Sequence, residues 1–311
     1  VEVASTLAHL LKSGFRDVML LAPDGIIVPP DLEDRVQIVR HDVFAEAALP
    51  GAVNTVMDAV AGAWVHCCYN AEYLFFPFCE TRRVQEMLAF HAEERRTAML
   101  TYVIDLYAGD LVARPDAVEL TDAWLDRSGY YALARQDPAR NWEPKDRQVD
   151  VFGGLRWRFE EHIPWTRRKI DRISLFRAKP GLRMAPDFTL NDEEMNTYAC
   201  PWHHNLTAAV CSFRTAKALR ANPGSRHAIP SFRWQNSTRF DWSSPDSGSD
   251  PPHAGVIGRG KLRPICPRFL ACDSRMGRLD LKGTFPCRFA LSLVPFRCLD
   301  LPTLPSLPSS R

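Results

Sequence analysis

Two acidic side chains follow short apolar segments that have the composition of buried strands. Glu72 follows residues 64–69, and Asp24 follows residues 17–21. In open α/β sheets, ligands bind at the carboxyl ends of strands, so carboxylates at those points can hold a substrate or a metal ion. Each residue also has a structural interpretation as an ordinary turn acid. We take both as candidate site residues.

A second group of potential ligands occurs late in the chain. Cys200, His203 and His204 lie close together in the run Cys-Pro-Trp-His-His, and Cys211 follows. Thiolate and imidazole are the groups that zinc prefers, but this run lacks the second closely spaced pair that is typical of zinc sites. The two histidines are therefore interpreted either as ligands of a site built with other residues or as a packed pair without a ligand.

The elements that must position these residues alternate between helix and strand. Apolar residues at helical spacing are followed by short apolar runs through the first 110 residues, and a further helix is expected over residues 206–221. Strands separated by helices favour parallel pairing. The predicted fold class is α/β, with a single, mostly parallel sheet, helices on both faces, and a disordered C-terminal tail.

Composition and charge divide the chain. Residues 1–194 carry a formal charge of −8 and residues 195–311 a charge of +10, and no Glu follows Glu194. We predict one domain over residues 1–231 and a Pro-rich basic tail over residues 232–311 that is disordered or a non-native extension. No apolar run is long enough to span a membrane, and nine cysteines without a disulfide framework favour reduced thiols and the cytoplasm.

Residues 63–82 read AWVHCCYNAEYLFFPFCETR. This segment resembles the central strand and turn of family 2 glycosyltransferases, where the pattern is Trp-Val, an apolar run, and Asp-x-Asp-Glu-Phe-Leu-x-x-Pro. The residues in register with that pattern are Trp64, Val65, Glu72, Leu74 and Pro77. Looser similarity in strand 101–107, in Gly153-Gly154-Leu155-Arg156 and at Trp202-His203-His204 extends the resemblance over about residues 3–220.

The resemblance implies a Rossmann-like domain that binds a nucleotide-sugar donor and transfers a hexose to a saccharide or lipid-linked acceptor. Its implied substrate-binding residues are Asp24, Asn70, Glu72 and Arg156, and its implied catalytic bases are Asp192 and Glu193 in the acidic run before the histidines. The sequence leaves open whether the family's first strand, which would precede residues 1–10, belongs to this protein.

The metal motif of that family is altered here. Two aspartates bind Mg²⁺ or Mn²⁺ in the family, and their positions hold Tyr69 and Ala71, which cannot replace carboxylate ligands. The remaining metal ligands implied by the resemblance are Glu72 with His203 and His204. Three alternatives stay open: a metal held by these residues, metal-independent transfer, or a non-catalytic relative that binds sugar or nucleotide.

Two further features bear on partners. Arg167, Arg168 and Lys169 follow Trp165, and they form either an acceptor or diphosphate clamp or a solvated basic face. The basic C-terminal part gives a different alternative, a nucleic-acid-binding protein, and leaves peripheral contact with an anionic membrane open. Its basic residues are scattered and match no recognition motif, so nucleic acid is not the expected partner.

Overall fold

The computed structural model describes residues 2–197, residues 206–242 and the strand at 287–293. The helices are α1 (Val3–Ser13), α2 (Pro30–Glu33), α3 (Ala48–Val56), α4 (Val84–Glu93), α5 (Leu155–Arg158), α6 (Arg214–Ala221) and α7 (Pro223–Arg226). The strands are β1 (Asp17–Ala22), β2 (Val36–Arg40), β3 (Trp64–Tyr69), β4 (Glu72–Phe75), β5 (Ala98–Ala108), β6 (Ala123–Asp126), β7 (Tyr131–Asp137), β8 (Glu143–Phe152), β9 (Asp171–Arg177), β10 (Ala208–Ser212), β11 (Ser237–Arg239) and β12 (Cys287–Leu293).

Ten of these strands form one mixed sheet, with five antiparallel and four parallel strand pairings. Its order is β11-β6-β5-β9-β3-β12-β1-β2, with β10 paired to both β5 and β4. The expected single, mostly parallel sheet is therefore wrong. The main reason is β9, which lies between β3 and β5 and runs antiparallel to both, although the chain pattern before it favoured direct parallel neighbours.

Two apolar layers cover the two faces of the sheet around β3. Trp64 and Cys68 pack with α1, α4 and β1, whereas the alternate residues Val65 and Cys67 pack with α3. All six residues of β3 are buried, as expected for a strand enclosed on both faces. No helix in the described part of the chain is both long and apolar enough to cross a bilayer.

The remaining two strands form a separate hairpin. Strands β7 and β8 pair antiparallel, with Tyr131 opposite Phe152, and most of β7 is exposed to solvent. The hairpin leads into Gly153, Gly154 and the short helix α5, which packs beside α6. The chain thus returns from the hairpin to the carboxyl end of β5.

Packing continues beyond residue 231. Phe232 and Phe240 are buried, and β11 pairs with β6. Strand β12 lies between β1 and β3 and is parallel to both, so the expectation of a wholly disordered tail is wrong for this segment. The rest of the predicted tail lies outside the described residues.

Candidate functional site

Glu72 begins β4 directly after a tight turn that ends β3. Residues 70 and 71 form this turn, and Ala71 has a left-handed backbone with a φ of 61°. The turn brings the Glu72 carboxylate back to the end of β3, where Oε2 accepts a hydrogen bond from the Tyr69 N–H at 2.8 Å. The carboxylate is only 1% exposed, so it faces the protein interior.

A buried ion pair neutralises Glu72. Arg172 on β9 donates from Nη2 to Oε2 at 2.7 Å and from Nη1 to Oε1 at 3.4 Å, and Ser212 Oγ donates to Oε1 at 3.1 Å. Burial alone would raise the pKa of Glu72, but the Arg172 guanidinium outweighs burial and holds the pKa below its ordinary value. Both groups are therefore charged, and both carboxylate oxygens are engaged.

This arrangement does not fit the metal site implied by the resemblance. A metal ion at Glu72 would have to displace the Arg172 guanidinium and leave that buried charge unpaired, which is costly. Tyr69 and Ala71 supply no carboxylate, and the other implied ligands, His203 and His204, lie outside the described residues. Over the residues that the structure describes, no cluster of three metal-ligating side chains occurs.

A row of polar residues crosses three neighbouring strands at this point. Ser212 on β10 is in register with Glu72 on β4 and with Asp105 on β5. Residues directly opposite each other on adjacent strands lie within side-chain reach. We call Glu72, Ser212 and Asp105 the acidic row, and it links the two buried carboxylates of the site.

The carboxyl group of Asp105 has fewer hydrogen-bond and ion-pair partners than that of Glu72. Its side chain is 1% exposed, no hydrogen bond of good geometry reaches either oxygen within the described residues, and the nearest cation is Arg156 Nε at 3.5 Å. Burial raises the pKa of Asp105 in spite of this cation. Gly154 covers the carboxyl group, since a Cβ at that position would lie 3.1 Å from Oδ2.

Arg214 adds a third guanidinium beside the acidic row. It is the first residue of α6, directly after β10, and its guanidinium carbon lies 3.5 Å from the centroid of the Tyr69 ring. It makes no close ion pair with a described carboxylate, although its charge helps to lower the pKa of Glu72. Two carboxylates therefore face three guanidiniums, which leaves the site with an excess of positive charge next to the N-terminus of a helix.

The expected catalytic bases lie elsewhere and are engaged in surface ion pairs. Asp192 pairs with Lys179 and accepts a hydrogen bond from the Glu194 N–H at 3.1 Å. Glu193 accepts hydrogen bonds from Lys145 at 2.8 Å and from Gln148 at 2.6 Å. These partners lower the pKa of both carboxyl groups, which makes them weak proton acceptors. Both residues line an open, polar depression of about 350 Å³.

The other expected substrate-binding residues separate into two groups. Arg156 joins the site through Asp105, and Asn70 is buried in the turn after β3, where Thr6 Oγ1 donates to its Oδ1 at 3.4 Å. Asp24 instead lies on the surface and pairs with the exposed Arg40 at 2.8 Å. The structure thus places Asn70 and Glu72 in and directly after the same turn, puts Arg156 beside Asp105, and leaves Asp24 on the surface.

Sequence reasoning missed Arg172, Ser212 and Arg214. No motif marks them, because each lies more than 90 residues from Glu72 along the chain. Strand pairing brings Arg172 and Ser212 to Glu72, and Arg214 follows β10 at the start of α6. A signal existed for Asp105, which ends a strong strand pattern, and for Gly153-Gly154, where Gly154 allows close approach to Asp105 on β5 and Gly153 lies against the Tyr130 ring. The identity of the cation beside Glu72 could not be read from spacing.

The chain matches no protein-family model, and no curated protein or solved structure is significantly similar to it.

Proposed function

We propose that the protein binds a nucleoside diphosphate, or the diphosphate part of a nucleotide sugar, without a metal ion and without transferring the sugar. The observation that carries this proposal is the set of contacts around Glu72, where Arg172 replaces the divalent cation that the resemblance implies. Hexosyl transfer, which the resemblance implies, is the alternative that the experiment below distinguishes from binding alone.

The diphosphate would be held by Arg214 and the N-terminus of α6. A guanidinium can pair with two phosphate oxygens at once, and the first N–H groups of a helix favour anions. Arg214 is partly exposed, and its cation has the Tyr69 ring as its described partner. The excess positive charge of the site supports an anionic ligand.

Transfer is disfavoured because none of the carboxylates described at or near the site is free to take a proton from an acceptor hydroxyl. Glu72 is paired with Arg172, and Asp105 is covered by Gly154. Asp192 and Glu193 are committed to lysines on the surface. A saccharide or lipid-linked acceptor is therefore not part of the proposal for this site.

The cytoplasm is the compartment that we propose. Among the described cysteines, Cys67, Cys79 and Cys211 are free thiols. Cys67 and Cys68 are adjacent and both are buried, so the pair serves packing on the two faces of β3. Buried reduced thiols are typical of proteins from reducing compartments.

Calorimetric titration of the full chain with UDP-glucose and GDP-mannose tests the proposal. We expect the affinity for one of these ligands to be the same with Mn²⁺ and with EDTA, and no hexose to be released or transferred. Arg214→Ala should weaken binding at least tenfold. The control is Arg127→Ala, which removes an exposed arginine whose side chain makes no hydrogen bond or ion pair among the described residues.

Two results would contradict the proposal. Binding that requires Mn²⁺, or a glycosylated product, would favour the transferase. If Arg214→Ala and Arg127→Ala lost affinity equally, the nucleotide sugar would be attracted by the positive charge of the protein in general, and Arg214 would not form a specific site.

A further inference from the structure

The main sheet ends on one side at β2, and the site described above does not use this edge. Among the described strands, β2 is the last in the sheet order, and it pairs with β1 in a continuous parallel register from Val18–Val36 to Ala22–Arg40. An edge strand presents a row of backbone N–H and C=O groups with which another chain can pair. The outer edge of β2 is therefore a potential interaction surface.

The hydrogen bonds to β1 show which backbone groups of β2 face outwards. The His41 N–H donates to the Ala22 carbonyl at 3.1 Å, so the backbone groups of residue 41, and of every second residue before it, point towards β1. Backbone groups alternate in direction along a strand, so those of Val36, Ile38 and Arg40 point to the open side. The outer edge thus carries donors and acceptors at regular spacing.

The middle of β2 is open to pairing. Natural proteins protect sheet edges with lysine, proline or a bulge in the edge strand. In β2 the central residues are instead Gln37, Ile38 and Val39, and the Ile38 side chain is 51% exposed. A regular edge with an apolar side chain at its centre favours contact with another strand.

We propose that two copies of the chain associate by antiparallel pairing of their β2 strands about a two-fold axis at Ile38. In this register Ile38 lies opposite Ile38 of the second copy, and Val36 of each copy lies opposite Arg40 of the other. Every outward N–H of these three residues then donates to an outward C=O of the second copy. The two Ile38 side chains contact each other across the axis, which makes the interface self-complementary.

The charges at the ends of β2 suit a second copy of the same strand. Arg40, which pairs with Asp24 at 2.8 Å, would lie diagonally across from Asp34 of the second copy, within reach of its long side chain. Arg35 and Asp42 would come to the same end of the pair. Each end would thus combine two arginines with three carboxylates, so that attraction and repulsion nearly balance. A strongly charged peptide of either sign would gain less from this mixture.

The loops beside β2 widen the contact. Ile27 and Phe44 are exposed apolar residues in the loops that follow β1 and β2, and in the antiparallel pair this end faces α2 of the second copy. The acids of α2, Asp31 and Glu33, lie beyond the paired residues, where salt screens their charge. One pair of short strands buries less than the roughly 1,000 Å² of a stable interface, so the expected dimer is weak and depends on concentration.

Sedimentation equilibrium of the full chain tests for the dimer. We expect the mass to rise from 35.2 kDa to twice this value between about 1 and 100 μM and then to stay constant. Ile38→Lys should stay monomeric, because two lysines would lie directly opposite each other. The matched control is Val112→Lys, which puts the same charge at an 89% exposed apolar residue after β5 and should dimerise like the natural chain.

Crosslinking tests the register. Opposed residues of a hydrogen-bonded antiparallel pair have Cα atoms about 5.5 Å apart, a distance that a disulfide can span. Under mild oxidation, Ile38→Cys should form a covalent dimer that the natural chain does not form. Gln37→Cys is the control, because residue 37 is equally exposed but lies opposite Val39 of the second copy.

Three results would overturn the proposal: a natural chain that stays monomeric at about 100 μM, an Ile38→Lys variant that dimerises like the natural chain, or equal crosslinking of Ile38→Cys and Gln37→Cys. A mass that grows beyond the dimer without limit would also overturn it, because a two-fold pair is closed. Thermal unfolding shows whether Ile38→Lys keeps its fold, and the crosslinking decides the case if it does not. The inference does not depend on nucleotide binding at Arg214, because the two surfaces share no residue.

Discussion

At the scale of single residues, Glu72 is held by buried charge pairing. A carboxylate after a buried strand is typical of a ligand site, yet here all of its acceptor capacity is used by Arg172, Ser212 and the Tyr69 N–H. Removal of one member of a buried ion pair leaves the other charge uncompensated. The pair should therefore be visible in the free energy of unfolding.

Arg172→Met should lower the free energy of unfolding by about 3–5 kcal/mol, because the buried Glu72 carboxylate loses its counter-charge. Urea unfolding measures the change. The control is Arg177→Met on the same strand, where the arginine is exposed and donates to the Gly62 carbonyl at 3.0 Å. The double variant Glu72→Gln/Arg172→Met should recover part of the loss. If Arg172→Met and Arg177→Met lowered the free energy of unfolding equally, Arg172 would not be the buried counter-charge of Glu72.

Asp105 provides a second prediction. Its pKa is shifted upwards, whereas that of Glu72 is shifted downwards, so the two groups affect stability in opposite directions as pH rises. The pKa of Asp105 is raised by burial, so the folded protein binds more protons at this group than the unfolded chain does, and the contribution of Asp105 to stability falls as pH rises above about 4. The stability of Asp105→Asn relative to the natural chain should therefore increase between pH 4 and pH 8, because the asparagine amide does not titrate. A difference that stays constant over this range would show that the carboxyl group is not shifted.

At the scale of elements, strand pairing decides which side chains meet. Residues 206–221 were expected to form one helix, but they form β10 and then α6. The segment β10 is buried at all five positions because it pairs with β4 on one side and with β5 on the other. This switch from strand to helix puts Ser212 into the acidic row and Arg214 beside Tyr69.

Strand β12 has a testable structural role. It pairs with β1 on one side and β3 on the other, so its removal would leave two parallel strands with unpaired backbone groups in the middle of the sheet. A chain ending at residue 286 should lose at least about 3 kcal/mol of stability relative to the full chain, whereas a chain ending at residue 293 should not. Urea unfolding of the three chains measures this. Equal midpoints for the chains ending at 286 and 293 would contradict the pairing.

At the scale of the whole molecule, charge pairing sets the response to acid. Several carboxyl groups have a pKa below the ordinary value because a cation or a hydrogen-bond donor faces them: Asp58, Glu72, Glu119, Asp187, Asp192 and Glu193. Their contributions are present above the pKa of the unfolded chain, about 4, and are lost as pH falls through the lower folded values. Among these groups, Glu72 is the buried one that is paired with a buried arginine.

We therefore expect the midpoint of urea unfolding to fall steeply between pH 5 and pH 3, with a smaller fall in Glu72→Gln. Asp192→Asn is the control, because its pair with Lys179 is partly exposed and should contribute little. A pH profile of Glu72→Gln that is as steep as that of the natural chain would contradict the assignment of the low pKa to Glu72.

The sequence by itself determined the local features. The apolar run that became β3, the helical face of Leu7 and Leu10 that became part of α1, and the turn before Glu72 are all carried by short-range patterns of residue type. A substrate-binding role for Asn70, Glu72 and Arg156 was implied by the resemblance alone. Apolar periodicity indicates which side chains are buried, and it can be read from residues that are close together in the sequence.

Only the tertiary structure decided strand direction and the electrostatic partner of each charge. The pattern that predicted parallel strands is equally compatible with β9 entering antiparallel between β3 and β5, because strands buried on both faces read as apolar in either direction. The same pairing brings Arg172 to Glu72 from 100 positions away. A charge interacts with whatever the fold places a few ångströms from it, and the distance along the chain carries no information about that neighbour.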